Sequence, residues 1–198
     1  MEKGKRAVFL DRDGTINVEK GYVHKAEEFE LIQGVPEALR LLRENGFILV
    51  VITNQSGVAR GYYPMEAVHR LHRHMDQELA RRGAAVDAYY VCPHHPDGDV
   101  REYAKVCECR KPMAGMLMEA ARDHSINLAS SYMIGDKPSD IEAGLKAGCR
   151  SLCVASGHGA DGQPAESTGV PCFRNLLEAA RAIVSEAEKR GCGEVLKG

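Results

Sequence analysis

The sequence predicts an α/β fold in three layers: a Rossmann-like parallel sheet with helices on both of its faces. Short apolar runs typical of strands alternate along the chain with longer segments of helical periodicity. Strands that are separated by helices form βαβ units with parallel pairing. The run 47–52 is apolar throughout, as expected of a strand that is buried on both faces. With 198 residues, the chain is long enough for one domain with a sizeable core.

The predicted elements alternate from the N-terminus onward. A strand covers 7–11, and a helix over 35–45 has Pro36 near its start and Gly46 just past its end, where helices favour these residues. The later strands are predicted at 47–53, 86–91, 131–135 and 151–155, and the later helices at 65–82, 114–124, 139–147 and 176–190.

The chain is expected to form a single domain over 1–191, followed by a Gly-rich tail over 192–198. Too few residues separate Thr15 from the helix that starts at Val35 to form a separate cap domain. Any site at the end of the sheet would then be covered by loops only. The loop 157–171 carries no motif to which a role can be assigned.

Composition and charge describe an ordinary globular protein. Apolar residues make up 44% of the chain and charged residues 27%, and the net charge is −2. This balance does not favour binding to nucleic acid or to an anionic membrane, so any anion site has to be local. No apolar stretch could span a bilayer, and the N-terminus lacks the apolar core of a signal peptide. We therefore expect a cytoplasmic protein without membrane or nucleic-acid partners, and a monomer.

Two aspartates, Asp11 and Asp13, directly follow the first predicted strand in the string DRDGTI. Carboxylates at i and i+2 project to the same side of an extended backbone, so one metal ion or one phosphate could meet both. Such a pair can supply a nucleophile and a group for proton transfer. The alternative is an acidic turn after a strand, and these six residues alone do not decide between the two.

Polar clusters also follow the other predicted strands, at the edge where ligands bind to parallel sheets. The second strand leads into TNQSGVARG, whose backbone N–H groups and Thr53 hydroxyl could meet a phosphoryl group. The fourth leads into GDKPSD, whose acidic pair could complete a Mg²⁺ site. Arg110 and Lys111 could neutralise a transferring phosphoryl group. Each cluster alone also fits a turn, a helix cap or a solvated basic pair, but four at successive strand ends favour one site.

The chain holds seven cysteines, and three of them lie close to two histidines. In a reducing compartment this grouping favours metal binding over disulfides. Three thiols and one imidazole have the ligand types and the closed count of a structural zinc site, and the zinc loop would cover 92–109. His95 is a competing ligand, and free buried cysteines are the alternative. The predicted ligands are Cys92, His94, Cys107 and Cys109.

The strings DRDGT, TNQ and GDKPSD, together with Lys111, resemble the four motifs of the haloacid dehalogenase-like phosphohydrolases in their order along the chain. The resemblance implies that Asp11 is the nucleophile that forms an aspartyl-phosphate. It implies that Asp13 protonates the leaving alcohol and then activates water, and that Thr53 and Lys111 hold the phosphoryl group.

The same resemblance implies a catalytic Mg²⁺. Its site would consist of Asp11, Asp136 and the backbone carbonyl of Asp13. Asp140 would orient Lys111 or a metal-bound water.

The strings KGYVH, CPHHP and CECRKP resemble one branch of that family, which dephosphorylates heptose bisphosphates in nucleotide-heptose biosynthesis. The match runs to about Gly148. The resemblance implies a small sugar bisphosphate as the substrate and a set of residues that touch it. These residues are Glu19, Lys20, Gly21, Tyr22, Asn54, Gln55, Ser56, Arg110 and Lys137.

Three other functions stay open. Relatives with a similar core hydrolyse histidinol phosphate. A DNA 3′-phosphatase would need a basic groove with aromatic side chains for stacking. The net charge of −2 and the absence of Trp argue against this function. A zinc-binding interaction module would need none of the aspartates. His69, His72 and His74 fall on a predicted helix surface and are assigned no role.

Overall fold

The computed structural model of the chain describes residues 4–157 and 168–195, with the side chains of the last helix described up to residue 187. Strands and helices alternate in it, as the sequence predicts. The strands are β1 (Arg6–Leu10), β2 (Phe47–Asn54), β3 (Ala88–Cys92), β4 (Tyr132–Gly135), β5 (Arg150–Val154) and β6 (Cys172–Phe173). The helices are α1 (Val35–Glu44), α2 (Met65–Ala80), α3 (Gly115–His124), α4 (Pro138–Ala147) and α5 (Leu176–Val195), with short 3₁₀ turns at Ala26–Glu28 and Leu128–Ser130.

All six described strands run parallel in one sheet, in the order β3-β2-β1-β4-β5-β6. The chain moves outward from β1 to β3 and then returns to the other side of β1 with β4. The strand order therefore reverses between β1 and β4, and ligands of open α/β sheets bind in the crevice at such a switch point. The DRDGTI motif leaves β1 here, and the GDKPSD motif leaves β4.

Helices cover both faces of the sheet, which confirms the three predicted layers. Alternate residues of β1 point to opposite faces. Val8 and Leu10 lie in the core formed with α1, α2 and α5, whereas Ala7 and Phe9 lie in the core formed with α3 and α4. Within residues 4–157 and 168–195 no element forms a separate cap, so loops cover the carboxyl edge of the sheet.

The structure departs from the predictions mainly at short or terminal features. Strand β6 has only two residues, too few for a periodic signal. Its Cys172 lies opposite Cys153 of β5, and the two form a disulfide, which depends on strand register and cannot be read from cysteine spacing. Helix α5 extends to Val195, past its predicted end at residue 190. Glycine lowers helix propensity by about 1 kcal/mol but keeps its backbone donor, so it does not have to end a helix.

Parts of two predicted segments lie outside the described residues. These are 158–167 of the loop 157–171 and the last three residues of the predicted tail. Among the residues that are described, no helix is both long enough and apolar enough to cross a membrane.

Candidate active site

The carboxyl ends of β1, β2 and β4 border a cleft of about 470 Å³. It brings together most of the residues that the sequence predicts for catalysis and substrate binding. Those that line it are Asp11, Asp13, Glu19, Gly21, Tyr22, Asn54, Gln55, Ser56, Arg110, Lys111, Lys137 and Asp140. Thr53 and Asp136 are buried at the ends of β2 and β4.

Lys111 is buried and is held by two carboxylates. Its Nζ lies 2.7 Å from Asp11 Oδ1 and 2.6 Å from Asp140 Oδ1, and it donates to the Ile52 carbonyl oxygen at 2.8 Å. Burial alone would lower the pKa of Lys111, but the charges of Asp11 and Asp140 outweigh this effect and raise the pKa. The ammonium group therefore stays charged beside the Asp11 carboxylate.

Asp136 offers two buried carboxylate oxygens that have no hydrogen-bond partner among the described residues. Carboxylate oxygens of Asp11, Asp136 and Asp140 lie within 4.8 Å of one another. Burial and the charges of Asp11 and Asp140 raise the pKa of Asp136 to about 8. Buried acidic oxygens without donors fit a hard divalent cation, which would take the place of the proton.

Two glycines leave room for the Asp136 carboxylate. A Cβ atom at Gly14 or at Gly157 would overlap it. Gly14 also has a φ of +88°, which favours glycine at this turn. The Ser156 hydroxyl donates to the Gly14 carbonyl oxygen at 2.9 Å, so the segment after β5 packs against the turn after β1.

Asp13 reaches the cleft from a turn. The strand ends at Leu10, and the chain then turns so that the N–H of Ile16 donates to the Arg12 carbonyl oxygen at 2.8 Å. The chain also bends at Arg12, between Asp11 and Asp13, so the backbone is not extended there as the sequence predicts. The two carboxylates consequently have different partners.

Three side chains hold the Asp13 carboxylate. Arg12 Nη2 donates to both of its oxygens at 2.9 and 2.8 Å. Asn17 Nδ2 donates to Oδ1 and Gln55 Nε2 donates to Oδ2, each at 3.0 Å. Burial would raise the pKa of Asp13, but the charge of Arg12 and these hydrogen bonds outweigh it and hold the pKa below its usual value. The Gln55 amide also donates to Thr53 Oγ1 at 2.8 Å, so the same side chain contacts both Asp13 and Thr53.

Glu19 and Lys137 join two loops at the edge of the cleft. Lys137 Nζ donates to Glu19 Oε2 at 3.1 Å, and Glu19 Oε1 accepts from the Gly21 N–H at 2.8 Å. Burial would lower the pKa of Lys137, but nearby carboxylates, Asp11 first among them, raise it. Tyr22 lies at the mouth of the cleft, with its ring edge-on to that of Tyr62 at 4.9 Å between centroids.

Lys20 does not line this cleft, unlike its predicted neighbours. Its ammonium group pairs with Glu30 at 2.8 Å on the exposed surface. Lys20 is exposed, whereas Glu19 is half-buried and lines the cleft. A substrate contact for Lys20 stays a prediction.

Three thiols and one imidazole nitrogen cluster at the end of β3 and in the loop that follows it. Cys109 Sγ lies 3.2 Å from the Sγ atoms of Cys92 and Cys107 and 3.3 Å from His94 Nδ1. All four ligand atoms lie within 4.8 Å of one another. Three sulfur ligands and one nitrogen in such a compact group fit a structural zinc ion.

His95 is turned away from these thiols. Its Nε2 lies 3.2 Å from Arg60 Nη2, and its Nδ1 accepts from the Asp97 N–H at 3.1 Å. His94 is thus the histidine of the cluster. Its carbonyl oxygen accepts from Arg110 Nη1 at 3.2 Å, which ties the loop with the Cys/His cluster to a side chain of the cleft.

Sequence reasoning missed two residues beside the site, Arg12 and His72. The prediction that His72 lies on a helix surface is wrong, because only 6% of the residue is exposed. A signal was available: His72 follows Val68 by four residues and Leu71 by one, and therefore lies on the apolar stripe of α2. Arg12 is 1% exposed, which a charged residue between two aspartates does not suggest.

Comparisons with known proteins agree with this architecture. The family model described as HAD-hydrolase-like matches residues 108–179. A D-glycero-β-D-manno-heptose-1,7-bisphosphate 7-phosphatase from Yersinia pestis is 52% identical over 147 residues, which cover 74% of this chain and 78% of the relative. The chain belongs to this phosphatase family. A further family member, from Haemophilus ducreyi, is 48% identical over 188 residues, which cover 94% of this chain and 91% of the relative.

A solved structure of the heptose bisphosphate phosphatase family shares the fold. The D,D-heptose 1,7-bisphosphate phosphatase from B. bronchiseptica, complexed with magnesium and phosphate, superimposes with a TM-score of 0.79 at 33% identity. The alignment covers 91% of this chain and 99% of that chain.

Proposed function

We propose that the protein removes the 7-phosphate of D-glycero-β-D-manno-heptose 1,7-bisphosphate through an aspartyl-phosphate on Asp11, with Mg²⁺ as the catalytic ion. The observation that carries the proposal is the meeting of Asp11, Lys111 and the unpartnered Asp136 carboxylate at the switch point of the sheet. The names of its relatives support the substrate, including the β configuration at C1. The family resemblance supports a place in the synthesis of nucleotide-activated heptose.

In the first step, a carboxylate oxygen of Asp11 forms a bond to phosphorus while the bond between phosphorus and the C7 oxygen breaks. Despite burial, Arg12, Asn17 and Gln55 lower the pKa of Asp13 without substrate, and the negative charge of the bound phosphate would raise it again, so that Asp13 takes up a proton with the substrate. Asp13 gives this proton to the C7 oxygen, and the alcohol leaves. Lys111 and the Thr53 hydroxyl neutralise and orient the phosphoryl oxygens. Water then attacks the phosphorus, Asp13 takes the proton of the water, and phosphate leaves Asp11.

The residues around Asp136 fit the magnesium ion that this reaction class uses. Asp11, Asp136 and the Asp13 carbonyl would hold it, and it would offset the repulsion between the Asp11 carboxylate and the phosphate. Asp140 accepts from the Lys137 backbone N–H at 3.0 Å and pairs with Lys111, which supports a role in orienting that lysine. The zinc that fits the Cys/His cluster would stabilise the loop that carries Arg110.

The shape and charge of the cleft support a small doubly phosphorylated sugar. Arg110 and Lys137 add two cations to the cleft that holds Lys111. Lys111 would meet the phosphate that is transferred, and the other two cations would meet the second phosphate of the sugar. Tyr22 and Ser56 line the cleft and supply an aromatic ring and a hydroxyl for the sugar, whereas the amides of Asn54 and Gln55 are used on neighbouring protein groups. A single domain, a cytoplasmic location and a monomer stay predictions.

A substrate screen tests the proposal. Purified protein with Mg²⁺ is given the β and α anomers of the heptose bisphosphate, histidinol phosphate and a 3′-phosphorylated oligonucleotide. We expect the highest kcat/KM for the β anomer, with ³¹P NMR showing that the C1 phosphate is retained. Higher kcat/KM for any other compound, or turnover by an Asp11→Asn variant, contradicts the proposal.

A further inference from the structure

Arg12 is a charged residue at the centre of a buried network. Its exposed fraction is 1%, and arginine is almost never so deeply buried unless its donors are paired. Nη2 donates to both oxygens of Asp13 and also to the Val23 carbonyl oxygen at 2.9 Å. The Nε donor lies 3.2 Å from Asp13 Oδ1. One edge of the guanidinium group is therefore used on Asp13.

The other edge of the same group is held by α2. Arg12 Nη1 lies 3.3 Å from His72 Nε2. Arginine has donors only, so Nε2 must be the unprotonated acceptor of a neutral imidazole. Burial and the charge of Arg12 lower the pKa of His72 to about 3, which agrees with a neutral ring.

The His72 ring is itself fixed. It stacks on the ring of Tyr89 with 4.3 Å between centroids, and the Tyr89 hydroxyl donates to Asp76 at 2.5 Å. A rigid acceptor on one side and a carbonyl oxygen on another leave the planar guanidinium little freedom to rotate. Its remaining donors then set the position of the Asp13 carboxylate.

We propose that His72 and Arg12 are positioning residues for the proton transfers of Asp13, with His72 acting through Arg12. The inference rests on the proposed function, because it assumes that Asp13 is the acid and base of the reaction. The rate of proton transfer falls steeply when the donor and the acceptor are misaligned, because the two atoms must be within hydrogen-bond reach. Without the His72 acceptor, Arg12 can swing away, and the Asp13 carboxylate loses its fixed orientation.

A buried residue can also act only by supporting the fold, and the leaving group separates the two roles. An alkyl phosphate needs a proton on its leaving oxygen, whereas p-nitrophenyl phosphate releases a stable phenolate without one. The kcat/KM value reports the steps up to departure of the alcohol. Loss of acid positioning therefore lowers kcat/KM for the alkyl substrate selectively, whereas general damage to the site lowers both.

The test compares His72→Phe, which keeps a ring against Tyr89 but lacks the acceptor, with His72→Gln, which keeps an acceptor oxygen. His69→Phe, on the exposed face of the same helix, is the matched control. We expect His72→Phe to lose about 10- to 100-fold in kcat/KM on the heptose bisphosphate and less than about 3-fold on p-nitrophenyl phosphate. His72→Gln should recover most of the loss, and the control should match the wild type.

Equal losses on both substrates, or no recovery in His72→Gln at equal thermal stability, overturn the inference. If His72→Phe does not fold, Arg12→Lys replaces it, because lysine keeps the charge but loses the planar fork. Arg12→Lys should show the same selective loss. Failure of the proposed function can be told apart from failure of this inference. In that case the wild type prefers another alkyl phosphate, and the same variants are compared on that compound and on p-nitrophenyl phosphate.

Discussion

The side-chain amide of Asn54 bonds both backbone groups of Lys111. Its Nδ2 donates to the Lys111 carbonyl oxygen at 3.0 Å, and its Oδ1 accepts from the Lys111 N–H at 3.1 Å. One side chain at the end of β2 thereby holds the loop that delivers the buried ammonium group to Asp11.

Replacing this amide should lower activity more than its distance from the reacting atoms suggests. Asn54→Ala removes both hydrogen bonds, each worth about 1 kcal/mol, and frees the Lys111 backbone. We expect kcat to fall by about 10-fold or more with the fold retained, as measured by steady-state kinetics and circular dichroism. Asn45→Ala, which removes a single bond to the Leu41 carbonyl oxygen far from the cleft, is the control. Unchanged kcat in Asn54→Ala would show that Lys111 needs no such support.

Magnesium binding should strengthen as the pH rises. The pKa of Asp136 is raised from 3.8 to about 8 without a metal, so the folded protein binds more protons than the unfolded chain between these values. Stability of the metal-free protein contributed by this group is present at low pH and is lost as the pH rises through about 8. A cation that replaces the proton should reverse this loss.

The measurement is the increase in Tm caused by Mg²⁺ relative to a chelator, at about pH 6 and about pH 9. We expect the larger increase at the higher pH, with proton release on binding detected by calorimetry in two buffers. Asp136→Asn should show neither effect. An increase in Tm that is the same at both values would mean that Asp136 does not bind the ion.

Gly14 should tolerate no side chain, because a Cβ atom would overlap the Asp136 carboxylate. Gly148 has a similar φ, +83° against +88°, but a Cβ there would meet nothing within 4 Å. Gly148→Ala therefore measures backbone strain alone, expected at about 1 kcal/mol. We expect Gly14→Ala to lose Mg²⁺ binding in titration calorimetry as well. Equal stability and equal Mg²⁺ binding in Gly14→Ala and Gly148→Ala would contradict the close approach of Gly14 to the Asp136 carboxylate.

Zinc removal should impair catalysis through the loop and not through the reacting groups. Cys107→Ser removes one of the four clustered ligands, so elemental analysis should show bound zinc falling from about one ion per chain toward zero. We expect kcat/KM to fall because Arg110 loses the anchor that His94 provides. Cys149→Ala, a buried cysteine outside the cluster, is the control. Full retention of zinc and activity in Cys107→Ser would reject the site.

Local sequence patterns predicted most of the architecture. Alternation of apolar runs with helical periodicity is a property of neighbouring residues, so the parallel sheet and its two helical layers follow from it. The motif at Asp11 and the polar segments after β2 and β4 are equally local, and the topology of βαβ units places them at one edge. Strand β6 was not predicted because two residues show no periodicity. The end of α5 was placed too early because the helix continues through glycines without a clear stop signal.

The sequence by itself determined the fold class, the motifs that carry the chemistry and the residue types of the Cys/His cluster, since each depends on residues close in the chain. Only the tertiary structure decided which histidine joins the thiols, that Lys20 turns outward, and that Cys153 meets Cys172. It alone placed His72 of α2 against Arg12 of the first motif. These contacts join segments far apart in the chain, and their geometry depends on how whole elements pack.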